Sequence, residues 1–342
     1  MRPKIFLVIC FLSLRYTCIS QTITGVVIDA KTKSPIETAT VYFDNTTRGV
    51  VTNKRGQFSI SYNEAVQSPL IVSFLGYKRQ IITDYRTKNQ ITIQLKETKE
   101  ILDEVIVKAN DGLSRKQKLR LFRAEFLGTS KFGKSCKILN ENDLVIRYHK
   151  KHKLLTANVK APIKIENKGL QYLMTFDMEL FEISFKHVDE DQNIFNVGSV
   201  KFIGNTYYQN LKNSDKKKVL KNRNKVYAGS RLEFMRALYA ENLEDNDYQI
   251  FYNKLKTNPS KHFNFRQHNN PQVKLVTLNE RVSILYNKRK QSSIEFLNTS
   301  ILLDAYGNYT NVIKVRFSGA MSNQRFGDLL PFNFGIMNSI PN

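Results

Sequence analysis

Between residues 22 and 95, apolar and polar side chains alternate in short runs, and each run is closed by a glycine, a proline or an asparagine. Val26 and Ile28, then Ala39, Val41 and Phe43, fall on alternate positions. In an extended chain that period turns one face of each run toward a core and leaves the other wet. Several such runs at short spacing predict a small antiparallel β-sandwich. The punctuation agrees. Pro35 fixes its own φ and pushes Ser34 out of the helical region, which fits a turn at Lys33-Ser34-Pro35. In the segment from Val51 to Phe58, Asn53 can bond its own backbone and Gly56 can take the positive φ that ends a hairpin loop. Gly76-Tyr77 reads as a bend at a strand entry.

The spelling TGVVIDAKTKSPIETATVYFDNTTRGVVTNKRGQFSI, followed by LIVSFLGYKRQ and ITIQL, resembles the carboxypeptidase-like regulatory domain. That family has a transthyretin-like fold and is common in exported proteins of the Bacteroidetes. The resemblance implies a non-catalytic appendage that brings no peptidase chemistry. Where Asn53 stands, the family usually carries Asp, which weakens a metal-binding role for this turn. The next stretch, Lys99 to Ala109, is similar to the segment that follows the same domain in TonB-dependent outer-membrane transporters. No plug or long barrel follows it here, so transport is not implied. The alternation in Val105-Ile106-Val107 fits an added strand or an ordered connector.

The amino terminus sets the expected address. Arg2 and Lys4 precede the apolar run Ile5 to Leu14, and a short polar stretch ends at Ser20, as in a secretory signal peptide. Cleavage there removes Cys10 and Cys18, leaving Cys136 with no partner for an internal disulfide. Cys136 reads as a small buried apolar residue rather than a nucleophile. No later apolar run approaches the ~18 residues of a membrane-spanning helix. Loss of Arg2, Lys4 and Arg15 lowers the formal charge from +23 to +20. Such a surface suits acidic glycans, anionic lipid or nucleic acid, and export excludes the last.

Beyond the sandwich we expect a connector over residues 98–113 and a larger β-rich domain over 114–342, with helices near 114–127 and 214–241. Ser114 caps the first helix, with Leu119, Phe122, Phe126 and Leu127 on its apolar stripe. Strands are expected at 144–148, 154–159, 163–165, 172–185, 200–203, 248–255, 274–278, 282–286, 293–297, 301–303 and 312–317. Ser230 and Glu233 have capping-box spacing, the serine receiving the Glu233 amide and the glutamate reaching back to the serine's amide. This region resembles an uncharacterised module of flavobacterial exported proteins through FLGTSKFGKSCKILN, YAGSRLEFMRALYAE and LLDAYGNYTNVIKVRFSGAMSNQRFGDLLPF. Those signatures carry no implied activity.

Several patterns invite chemistry. Residues 128–135 spell G-x-x-x-x-G-K-S, but a phosphate loop needs a strand before it and a helix after it. Here an amphipathic helix precedes, and a polar loop around Gly133 is expected. His187 and Glu190 have the H-x-x-E spacing of two zinc ligands, with His262 or His268 as a third. The run from His187 to Asp191 reads more simply as a solvated loop. His149 and His152 are separated by lysines that oppose a bound cation. The run Glu241 to Asp247 lacks the glycine and terminal glutamate of a calcium loop. The strongest interaction candidate is the basic run Lys212, Lys216, Lys217, Lys218, Lys221, Arg223 and Lys225, which on a helix presents cations to an anionic lipid or glycan.

The sequence therefore predicts an exported, mainly β protein of α+β character, periplasmic or outer-membrane associated. Its expected role is non-catalytic binding or assembly with envelope proteins, anionic lipid or glycan, without catalytic residue, metal or cofactor. The rival is a zinc-dependent hydrolase built on His187, Glu190 and a later histidine.

Overall fold

A computed structural model describes residues 21–62, 67–88, 90–98, 111–310 and 312–336. The expected signal peptide and the Val105-Ile106-Val107 strand lie outside the described residues.

The amino-terminal strands are β1 (Gln21–Asp29), β2 (Thr40–Phe43), β3 (Gly49–Val51), β4 (Gln57–Tyr62), β5 (Leu70–Ser73), β6 (Tyr77–Lys78), β7 (Gln80–Ile82) and β8 (Gln90–Glu97). They form two four-stranded sheets, in the orders β4-β1-β8-β6 and β3-β2-β5-β7. Pairing is antiparallel throughout, except that β1 and β8 run parallel. The alternating residues behave as their period requires: Ile23, Val27, Val41, Phe43, Phe58, Ile60, Val72, Ile93 and Leu95 face one shared core. Tyr85 lies fully within it and donates its hydroxyl to Ser68 O at 2.9 Å, so burying the phenol leaves no orphaned donor. The expected hairpin loop is present. Asn53 Oδ1 accepts from Arg55 N and Gln57 N, while Gly56 adopts φ +69.

The rest of the chain begins with α1 (Arg115–Phe126) and six strands, β9 (Cys136–Ile138), β10 (Leu144–His149), β11 (Leu154–Val159), β12 (Ile163–Asn167), β13 (Tyr172–Asp189) and β14 (Ile194–Asn210). These six make one sheet in the order β10-β11-β13-β12-β9, with β14 paired to β13. The long strand β13 changes phase partway. Tyr172, Met174, Phe176 and Met178 are buried, then Phe181, Ile183 and Phe185. A register shift between Met178 and Leu180 absorbs the extra residue, as a β-bulge does. Ser114 and Gln117 form the capping box of α1. Its buried stripe is Leu121, Phe122 and Phe126, with Leu119 only partly buried.

Two helices, α2 (Lys217–Tyr227) and α3 (Arg231–Tyr239), precede strands β15 (Tyr248–Tyr252), β16 (Leu255–Thr257), β17 (Phe263–Gln267), β18 (Val273–Leu278), β19 (Val282–Tyr286), β20 (Lys290–Phe296), β21 (Ser300–Asp304) and β22 (Val315–Gly319). They form sheets β16-β15-β19-β20-β22 and β17-β18-β21 around a further core with Phe234, Leu238, Ile250, Ile284 and Leu303. Three strand expectations change here. The single run at 248–255 is a hairpin, because Asn253 and Lys254 take positive φ between β15 and β16. Residues 312–314 form a 3-10 turn before β22. The strand expected at 200–203 is the centre of the 17-residue β14.

The sandwich is seated on the six-stranded sheet. Thr46 bridges Tyr207 in parallel, Asn45 N donates to Thr206 O at 2.8 Å, and Tyr208 N donates to Thr46 O at 3.0 Å. The ring of Tyr42 stacks on that of Tyr207 with centroids 5.0 Å apart. Arg79 adds ion pairs to Asp177 and Glu179 of β13, each at 3.0 Å.

Candidate functional site

The basic run lies on and just before α2. Lys212, Lys216, Lys217, Lys218, Lys221 and Lys225 are exposed. Among the described residues none of the six has an ion pair or hydrogen bond to an acidic side chain. At 100° per residue, Lys217, Lys218, Lys221 and Lys225 share one side of the helix, and the exposed Leu220 flanks them.

This arrangement works against the helix that carries it. Lys216 occupies the N-cap with no side-chain bond to the first turn, and that turn holds no acidic residue. Cations therefore crowd the positive end of the helix dipole. Lys217, Lys221 and Lys225 repeat at four-residue spacing, where like charges cost about 0.2–0.5 kcal/mol per pair.

Arg223 does not join this face. It is 6 % exposed, because its position falls on the stripe of Val219 and Val226 rather than that of the lysines. Its guanidinium donates from Nε to Leu170 O at 2.9 Å and from Nη2 to Gln171 O at 3.1 Å and Asn210 Oδ1 at 3.0 Å. Burial lowers its pKa, and the main chain supplies neutral acceptors in place of an acid. Asn222 assists by donating to Gly169 O at 2.9 Å. The helix is thus pinned from beneath by Arg223 and Asn222, and its lysines face outward. The sequence carried a signal for this division in the i, i+4 relation between Val219 and Arg223.

The other sequence patterns land elsewhere. In residues 128–135, α1 precedes the loop, and a 3-10 turn at Gly133–Ser135 leading into β9 follows it. The loop's backbone is occupied: Ser130 Oγ accepts from Gly133 N at 2.9 Å and donates to Asp328 Oδ1 at 2.6 Å. A Cβ on Gly133 would stand 2.4 Å from Gly128 O. Close packing therefore explains that glycine without a phosphate.

His187 lies in β13, so the reading of residues 187–191 as a solvated loop holds only past Asp189, where the turn begins. Glu190 pairs with Lys150 at 2.8 Å. His262 packs on Tyr252 with ring centroids 5.0 Å apart, and His268 Nδ1 accepts from Asn270 N at 3.1 Å. Among the described residues no group of three or more His, Cys, Asp and Glu side chains converges on a common point. In the acidic run, Glu241 pairs with Lys274 at 2.6 Å and Glu244 with Lys256 at 3.7 Å. Cys136 is half-buried, and burial lifts its thiol pKa to about 12, far from the reactive range. At the capping box, Ser230 Oγ accepts from Glu233 N as expected, but Glu233 Oε2 accepts from Gly229 N and from the Tyr248 hydroxyl.

Known proteins resemble parts of this chain. The chain is 35% identical over 97 residues to the TonB-dependent receptor SusC of Bacteroides thetaiotaomicron, a match that spans 28% of this chain and 9% of the receptor. A putative membrane-associated protein of unknown function from Bacteroides fragilis covers 85% of this chain and 98% of its own, at 12% identity and a TM-score of 0.19. A 9R-lipoxygenase from Cyanothece covers 64% of this chain and 48% of its own, at 10% identity and the same TM-score of 0.19. Residues 23–107, which hold the whole sandwich beyond its first two residues, match the CarboxypepD_reg-like domain.

Proposed function

We propose that this chain is an exported, non-catalytic module of the cell envelope, at the periplasm or outer membrane, and that α2 is its contact with an anionic lipid or glycan surface. The organisation that goes with this reading is a signal peptide at 1–20, a sandwich at 21–97, a connector at 98–113 and a β-rich domain at 114–342. The CarboxypepD_reg-like match and the stretch shared with a TonB-dependent receptor support the envelope address. Among the described residues no helix is long and apolar enough to cross a membrane.

One observation carries the surface assignment. Six exposed lysines without acidic partners gather on and just before α2, with Lys216, Lys217 and Lys218 at the positive end of its dipole and Lys217, Lys221 and Lys225 repelling one another along one side, on a helix held in place by a seventh cation facing inward. Local electrostatics that weaken an element without visible compensation mark the places where sequence serves function. An anionic surface supplies that compensation, at about 1 kcal/mol for each lysine near it. Leu220 adds an apolar side chain at the same level.

The test is sedimentation with vesicles of anionic or zwitterionic phospholipid and with a phosphorylated glycan. Replacing Lys216, Lys217, Lys218 and Lys221 by Gln keeps helix propensity nearly level. The wild type is expected to bind one anionic surface at low salt and to release it as salt rises, and the quadruple variant to lose most of that binding. Indifference of the wild type to every anionic surface, or equal binding by the variant, removes the proposal.

A further inference from the structure

The outer edge of β14 ends in a short, occupied stretch. Asn45 N donates to Thr206 O, Tyr208 N donates to Thr46 O, and Thr206 N donates to Asp44 Oδ1 at 2.8 Å. Thr206 and Tyr208 therefore turn their main-chain groups away from β13. Strand alternation extends that orientation to Gly204, Phe202 and Val200, since the shift near Met178 adds its extra residue to β13 and leaves β14 unbroken from Ser199 onward. Among the described residues β14 has no strand partner besides β13, and no hydrogen bond reaches the outward main-chain groups of these three residues.

Natural edge strands are guarded by charge, proline or bulges that block further pairing. From Ile194 to Asn210 there is no proline, and Lys201 is the lone charged residue, standing opposite Glu182 of β13. The bulge on β14 at Gly198 lies outside the stretch from Val200 to Gly204. We propose that this stretch pairs with the same stretch of a second copy of the chain, antiparallel and centred on Phe202. Self-pairing sets Val200 against Gly204 of the second copy and Phe202 against its own counterpart, so the outward N–H and C=O groups of all three residues find partners. Lys201 then stands opposite an isoleucine, Ile203 of the second copy, and no like charges meet. The pairing continues the strand addition by which the sandwich already occupies the edge from Thr206 onward, and it stops where that segment begins. It does not depend on the lysine face of α2.

The formal charge of +23 on each chain opposes association, so screening must favour the dimer, opposite to the salt effect expected for vesicle binding. The measurements are the solution mass of the purified protein against concentration and salt, and residue-resolved amide exchange. The expected mass rises from one chain to two with concentration, and the rise is stronger at higher salt. The amides of Val200, Phe202 and Gly204 gain protection in step, while those of Ser199, Lys201 and Ile203, already bonded to β13, do not change. Val200→Pro removes one of the outward donors. Ile203→Lys leaves every backbone group in place and sets lysine against lysine across the pair; both variants are expected to stay monomeric. A wild type that remains monomeric at every concentration overturns the proposal, as does a dimer in which those three amides gain no protection or one that Ile203→Lys leaves intact.

Discussion

The guanidinium carbon of Arg223 lies 3.7 Å from the ring centroid of Tyr172. This stacking joins α2 to the first residue of β13, and both partners are almost withdrawn from water. A cation over an aromatic face gains most where it is desolvated, and Arg suits the place because its planar fork also reaches carbonyl acceptors on one side. The inward cation thus explains how a helix loaded with unpaired lysines stays folded.

Arg223→Ala is expected to destabilise the protein by about 2–4 kcal/mol, from the lost charged hydrogen bonds and ring stacking. Arg223→Lys recovers only part of this, since an ammonium cannot bond several carbonyls in the plane of the fork. Lys217→Gln, on the same helix, is expected to leave the melting temperature unchanged or slightly raised. Equal effects at positions 217 and 223 would contradict the division of the basic run into a face and an anchor.

How far sequence reads this molecule depends on the kind of signal. Period-two alternation made the sandwich legible, and Asn53 and Gly56 marked its hairpin because their turn chemistry is local. The parallel pairing of β1 with β8 was not legible, since pairing partners are set by the whole sheet. The extent of β14 was hidden because Asn196, Ser199 and Asn205 dilute the apolar pattern of an edge strand exposed on one face. Within the candidate site, charge counting grouped Arg223 with the lysines. The helical position relative to Val219 and Val226 was the better guide, because burial follows the helix face and not the sign of the neighbours.

Gly56 offers a sharp test of the sandwich. Its φ is +69, and a Cβ added there would stand 2.4 Å from Val27 O, a backbone atom that cannot step aside. Gly56→Ala is therefore expected to cost more than the ~1 kcal/mol that a positive φ alone imposes. Gly76 has φ +82 with open space around the same position, so Gly76→Ala carries the conformational cost alone. Chemical denaturation of the two variants should rank them in that order.

Asp29 stabilises a turn of the sandwich as an anion. Its carboxylate accepts from Thr32 N at 2.6 Å, from the Tyr77 hydroxyl at 2.9 Å and from Lys31 N at 2.7 Å, and these bonds hold its pKa at about 2. A pKa below the unfolded value means the contribution is complete above about pH 4 and is lost as pH falls toward 2. Tyr77→Phe is expected to raise the Asp29 pKa, observable in a carboxyl carbon titration. An unchanged pKa would show that the backbone amides alone set it.

Asp44 and Asp304 act in the opposite direction, and both lie where the sandwich meets the rest of the chain. Asp44 Oδ1 accepts from Thr206 N, and Asp304 Oδ2 accepts from Gln67 N at 3.2 Å. Burial is the largest influence on each and lifts each pKa to about 6, although the hydrogen bonds they accept pull downward. A folded pKa above the unfolded one means that the native state holds the extra proton between about pH 4 and 6. Stability relative to the unfolded chain should therefore rise as pH falls through 6 and level off below 4, by at most about 3 kcal/mol per group. Asp44→Asn keeps an oxygen for Thr206 N while removing the charge, so it should flatten this part of the profile and raise stability at neutral pH. The check is denaturant unfolding of wild type, Asp44→Asn and Asp304→Asn across pH 4–8. Asp304 Oδ1 also accepts from Tyr306 N and Asn308 N, both at 2.9 Å, so an amide there turns its NH2 on the backbone Gln67 N, whereas at Asp44 it meets the side-chain amide of Asn45, which donates to Oδ2 at 3.1 Å; Asp304→Asn should therefore gain less at neutral pH than Asp44→Asn. A wild type whose stability falls steadily from pH 7 to pH 5 would show that these two carboxylates are ionised in the folded state throughout.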